Sequence, residues 1–197
     1  LNKTGRMQRM MQGGASVARG VTGAATALAA GGYVVAQPIN RTMDYDTSLR
    51  HATNTMYAGK TLPEKQAGMV EINKSVMDAA YIGGTTRESA LATMNTMVAS
   101  GAMSDESIKH LLPFVMKTAT AANANSEDIA NVVTKALQTG FKEQDIPALL
   151  DRAKQSGDDG GFELNNMARW LPQQFAAMKN AGMAPTLDNF SSIANAN

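Results

Sequence analysis

At 197 residues the chain is long enough for one or two domains and a buried core. It has no cysteine, so disulfides and thiolate metal sites are excluded, and its two histidines, His51 and His110, have no carboxylate-rich motif beside them. The net charge of +1 hides an uneven spread: Lys3, Arg6, Arg9, Arg19 and Arg41 precede the first acid, leaving 13 basic and 17 acidic groups downstream.

Residues 1–12 (LNKTGRMQRMMQ) fit a basic helix with Met7, Met10 and Met11 on one face. Such a helix is either solvated or turned toward phosphate, of lipid or of nucleic acid. Without interleaved aromatics, sequence-specific nucleic-acid binding is not expected. After Gly13-Gly14 comes an uncharged 20-residue stretch, Gly20 to Ile39, with six Ala and four Gly. It is long enough to cross a bilayer as a helix but only weakly apolar. Small residues recur every four positions (Gly20, Ala24; Ala27, Gly31), a spacing that lets helices approach closely, and Tyr33, Val34 and Val35 follow them. Two readings stand: a buried or paired helix in a multimer, or a segment that inserts into membrane.

Pro38 is expected to bend the path, because a helical pattern resumes at Ile39, Met43, Leu49, Ala52 and Met56 and closes at Gly59. Thr61, Pro63 and Glu64 open a helix carrying Met69, Ile72, Val76 and Ala80 to Gly83-Gly84. The same grammar then repeats. Thr85-Thr86-Arg87-Glu88 starts a helix that ends at Ser100-Gly101. Ser104 caps one with Ile108, Leu111, Leu112, Val115, Met116 and Ala119 inward. Ser126 caps the next, with Ile129, Val132, Val133, Ala136 and Leu137 inward and Gly140 as its stop. Asp145 caps a helix with Ile146, Leu149, Leu150 and Ala153, closed by Gly157. A loop, Asp158-Asp159-Gly160-Gly161, precedes a single helix from Glu163 to Ala181 with Leu164, Met167, Trp170, Leu171, Phe175 and Met178 inward; Thr186 caps a last short helix.

The fold class is therefore all-α: an Ala/Gly-rich N-terminal helix, then a compact array of short capped helices. The expected divisions are residues 1–40, a basic then weakly apolar segment; 41–84, connecting helices; and 85–197, the core module. The chain opens on Leu1 and ends in Asn195-Ala196-Asn197, which reads as part of something longer. Leu-Pro pairs at Leu112-Pro113 and Leu171-Pro172 both fall inside the expected helices, so Pro113 and Pro172 join Pro38 as candidate kinks. Their surroundings echo each other weakly, by duplication or by chance.

Nothing in this order of residues carries catalytic chemistry. The acidic Asp158-Asp159-Gly160-Gly161 lacks calcium-loop spacing, and Asp44 and Asp46 point to different sides of a helix. No phosphate loop, zinc spacing or nucleophile triad occurs, so the expectation is a non-enzyme with no cofactor.

The stretch Gln37-Pro38-Ile39 followed by Met43-Asp44-Tyr45-Asp46-Thr47-Ser48-Leu49 resembles the start of the core region of phage tail tape measure proteins. So do Thr85-Thr86-Arg87-Glu88-Ser89-Ala90-Leu91, Ala99-Ser100-Gly101-Ala102-Met103-Ser104, Lys117-Thr118-Ala119-Thr120-Ala121-Ala122, Ser126-Glu127-Asp128-Ile129-Ala130 and Leu164-Asn165-Asn166-Met167 before Leu171-Pro172. The resemblance spans roughly residues 12–193. It implies a virion structural protein in the tail lumen or tip, made in the host cytoplasm, which helps set tail length and leaves during DNA ejection. The implied partners are other copies of itself, the tail tube and tip or baseplate proteins, and the host membrane. A ruler should be extended at about 1.5 Å per helical residue; short capped helices instead imply a compact node of the tape. The alternative is a helical interaction module unrelated to tails.

Overall fold

The computed structural model describes residues 43–160 and 164–194, and among them every regular element is helical. The chain divides into Leu1–Asp44 and Tyr45–Asn197, and the architecture below is that of the second unit. Its helices are α1 (43–56), α2 (Leu62–Gly83), α3 (Arg87–Ala99), α4 (Asp105–Ala121), α5 (Ser126–Thr139), α6 (Ile146–Gly160), α7 (Leu164–Met167), α8 (Leu171–Asn180) and α9 (Leu187–Ala194), with a 3-10 turn at Glu143–Asp145.

Local hydrogen bonds set the starts of α2 to α5 and of α9. The Thr61 N–H and hydroxyl both donate to Glu64 Oε2 at 2.7 Å, opening α2. Thr86 Oγ1 accepts from the Ser89 N–H, and Ser104 Oγ from the Ser107 N–H. These satisfy N–H groups that have no partner inside the helix. Glycines set several of the stops: Gly84 (φ 61°) and Gly140 (φ 108°) sit in the left-handed region that ends α2 and α5.

One continuous core results. α2 packs on α3 and α4, α4 on α5 and α6, α5 on α8, and α6 on α9. All six inward residues expected on α4 are buried, and so are Ile146, Leu149, Leu150 and Ala153 on α6. Pro113 lies inside α4, where it withholds the N–H that would meet the Lys109 carbonyl, a loss of about 3 kcal/mol in an isolated helix. Leu111, Leu112, Val115 and Met116 are buried around it and contribute about 1.5–3 kcal/mol each, which outweighs the break.

α2 and α4 approach unusually closely. A Cβ on Gly83 would lie 2.7 Å from Met116 Cβ and 3.1 Å from its carbonyl carbon, so only hydrogen fits. The Thr120 hydroxyl closes the crossing by donating to the Gly83 carbonyl at 2.6 Å. At the other end of α2, the Tyr57 ring lies flat over Gly68, where a Cβ would meet it at 2.6 Å.

Several expectations are corrected. Met43 is exposed, and Tyr45 turns inward instead, its hydroxyl donating to Asn73 Oδ1 at 2.7 Å. The cap of α5 is Asn125, whose Oδ1 accepts from the Glu127 and Asp128 N–H groups; Ser126 is already helical. Gly157 does not close α6 but is buried within it, and residues 158–160 continue the helix rather than forming a loop. The helix expected from Glu163 to Ala181 is two. A proline at 172 would deny the Ala168 carbonyl its partner, so the chain restarts at Leu171 with Pro172 in the first turn, where its missing N–H costs nothing. Pro172 is thus a helix start and not a kink, and the two Leu-Pro pairs are not structurally equivalent. Trp170 falls in that break and is 62% exposed.

Candidate functional site

The residues singled out for packing or membrane contact, Gly20, Ala24, Ala27, Gly31, Tyr33, Val34 and Val35, lie outside the described residues, as does Pro38. Among the described residues, no helix is long and apolar enough to cross a membrane, and no group of acids and histidines could hold a metal ion. What the structure offers is a set of surfaces, each built by neighbouring helices.

The first is a polar groove of about 370 Å³ where α3, α4 and α5 meet. Thr85, Ser89, Thr120, Asn123, Asn125, Ser126 and Glu127 line it, above Met116 and Ala119. Its serines are tied up: the Thr93 hydroxyl donates to Ser126 Oγ at 2.7 Å, and Ser89 Oγ lies 3.4 Å from the same atom. The Thr93–Ser126 hydrogen bond ties α3 to α5, and Glu127 is the one carboxylate in the lining. Asn123, just past the Ala122 cap of α4, takes a positive φ of 47°, and the Ala124 N–H reaches back to the Ala119 carbonyl.

The second is a line of charged joints on α4. Lys109 Nζ meets Glu71 Oε1 at 2.7 Å, and the Tyr57 hydroxyl donates to Glu71 Oε2 at 2.7 Å, so one carboxylate joins α4, α2 and the turn after α1. The Lys109 and Tyr57 hydrogen bonds hold the Glu71 carboxyl below its usual range. Burial, with the Glu71 bond second, pushes the Tyr57 phenol up to about 12. Glu143 makes a similar joint with the residues of α4 that flank Lys109, accepting from Ser107 Oγ and lying 3.0 Å from His110 Nδ1. The Ser107 bond, then His110, lowers its pKa as well. His110 also packs edge-on against Phe114. These joints clip the 3-10 turn to α4, which is a structural use of histidine.

The third is the outer face of α2, opposite its buried residues. Val70, Met77, Tyr81 and Ile82 are all exposed there, with the ion pair Lys74–Asp78 between them. Sequence reasoning missed this face because it tracked only the inward positions of α2; Val70, Met77 and Tyr81, seven and four residues apart, were the available signal.

Within this geometry the family match is informative. The family model for phage-related minor tail proteins covers residues 78–186, from the last turns of α2 to the cap of α9. The chain belongs to that family. This tail protein is also 30% identical over 155 residues to the probable tape measure protein of Burkholderia phage BcepMu, an alignment covering 71% of this chain and 18% of that protein. It is therefore tape measure-related, with a structural role in a phage tail, and it spans under a fifth of that relative's length. No solved structure matches it.

Proposed function

We propose that this tail protein is a compact node within a longer tape measure chain, packed in the lumen or tip of the tail beside other copies of itself. It acts by shape and assembly, without catalysis or cofactor. The observation that carries this reading is the match to a tape measure protein along a body whose described residues form helices packed on one core, the longest of 22 residues. Helical residues rise about 1.5 Å each when extended, so the ruler that sets tail length lies in other parts of the parent chain. The tail tube and the tip or baseplate proteins are its neighbours, and it leaves the tail during DNA ejection. The uncharged Gly20–Ile39 stretch, flanked by Arg19 and Arg41, engages the host membrane on release.

In-frame deletion within the parent chain tests the assignment. Removing extended segments outside this unit should shorten tails in proportion, whereas removing residues 45–194 should block assembly. Normal tails without this unit would refute the node. The membrane step is tested separately, with a 13–41 peptide and anionic liposomes. Gain of helicity with leakage is expected, and absence of both would reject insertion.

A further inference from the structure

The described surface exposes nine large hydrophobic side chains, and five of them (Leu62, Val70, Met77, Tyr81 and Ile82) belong to α2. Isolated exposed apolar residues are ordinary, but a run of them along one helix marks a contact surface. Tyr81 is 88% exposed, Val70 69% and Ile82 53%. The buried side of the same helix is fully used by Ile72, Val76, Ala79, Ala80 and Gly83, so the outer face takes no part in the core.

The order of residues along that face indicates what it fits. Val70, Lys74, Asp78 and Ile82 are four apart and form one ridge on the helix surface, reading apolar, positive, negative, apolar. Reversed in direction, the ridge complements itself. If a second α2 lies across it antiparallel about residue 76, Val70 meets the Ile82 of the other copy and Lys74 meets its Asp78. Laid parallel in the same register, Lys74 would face Lys74 and Asp78 would face Asp78, which is repulsive. A two-fold interface requires this kind of self-complementary patch. Lys74 and Asp78 sit 2.9 Å apart as an ion pair within one helix, largely open to solvent, so a second copy exchanges these intrahelical pairs for pairs across the interface.

We propose that the outer face of α2 is a two-fold interface with a second copy of this chain, the two helices antiparallel with Lys74 against Asp78. The inference rests on the surface of α2 alone and stands whether or not the node assignment does.

The test is sedimentation equilibrium of the 197-residue chain with charge-swap variants. The unaltered chain should dimerise. Lys74→Asp or Asp78→Lys alone should weaken association at least about tenfold, and the two together should restore it. Val70→Glu should give a monomer with unchanged melting, since that side chain supports nothing inside the fold. Because the chain has no cysteine, orientation is readable directly. A mixture of Lys74→Cys and Asp78→Cys copies should cross-link under mild oxidation, and Lys74→Cys alone should not. A monomer at all concentrations, dimers indifferent to the charge swaps, or cross-linking of Lys74→Cys to itself would each overturn the proposal.

Discussion

At the scale of single residues, the decisive ones are those that leave room. Gly83 is helical, where alanine would ordinarily be preferred by up to about 1 kcal/mol. Here a methyl would be driven into Met116, with its Cβ at 2.7 Å and its carbonyl carbon at 3.1 Å, and the backbone cannot swing aside as a side-chain tip would. Overpacking wins. Gly83→Ala should lower stability by about 1–3 kcal/mol in urea unfolding, with the Thr120 hydroxyl losing its hold on the Gly83 carbonyl. A neutral or stabilising result would mean that α2 and α4 do not cross here. Such a contact has no signature in a single sequence, because Gly83-Gly84 reads equally well as a helix stop, which Gly84 in fact is.

At the scale of elements, local chemistry chose most of the boundaries. Asn125 accepts from two N–H groups at the start of α5, whereas Ser126 spends its hydroxyl on Thr93 across the gap to α3. Asn125→Ala should therefore cost about 1 kcal/mol through the lost cap, measured by thermal or urea unfolding. Asn125→Asp should retain nearly all of it. The inward faces of α4 and of the first turns of α6 were legible because a 3.6-residue pattern with strong amphipathicity has one reading. The break between α7 and α8 was not. Leu164, Met167, Leu171, Phe175 and Met178 keep helical spacing straight across it, so periodicity alone could not show that Pro172 begins a helix. Likewise Gly157 looked like a stop although α6 carries it inside, buried. Of the Phe141–Phe175–Phe190 string, with ring centres 5.5 and 5.7 Å apart, only Phe175 was read, since Phe141 follows the end of α5 and Phe190 lies in a helix of eight residues, too short for a period to reveal it. Of the candidate site, the sequence carried the caps and polar turns around the groove; the outer face of α2 needed knowledge of which side was already used.

At the scale of the whole unit, the core is one apolar cluster fed by every helix from α1 to α9. An aspartate at Leu112, which is fully enclosed, would bury an unpaired charge costing several kcal/mol, comparable to the stability of a domain of this size. Leu112→Asp should abolish the cooperative melting transition, and a retained transition would contradict the packing. The acid response should be mild by comparison. Glu71 and Glu143 have folded pKa values below their ordinary 4.5, held down by Lys109 with Tyr57 and by Ser107 with His110. Their contribution is present above that value and is lost as pH falls through the lowered one. Asp105 runs the other way, since burial raises its pKa, so protonating it favours the folded form. Both glutamates face water, so the net slope below about pH 4.5 should be shallow when melting temperature is followed against pH.

The only polar residues enclosed among the described ones are three threonines, Thr53, Thr93 and Thr134. The ionisable group in that interior is the Tyr45 phenol, whose pKa burial raises, so acid finds no handle from within. Whatever opens this body must either pull on its ends or offer its greasy surfaces a better place to go.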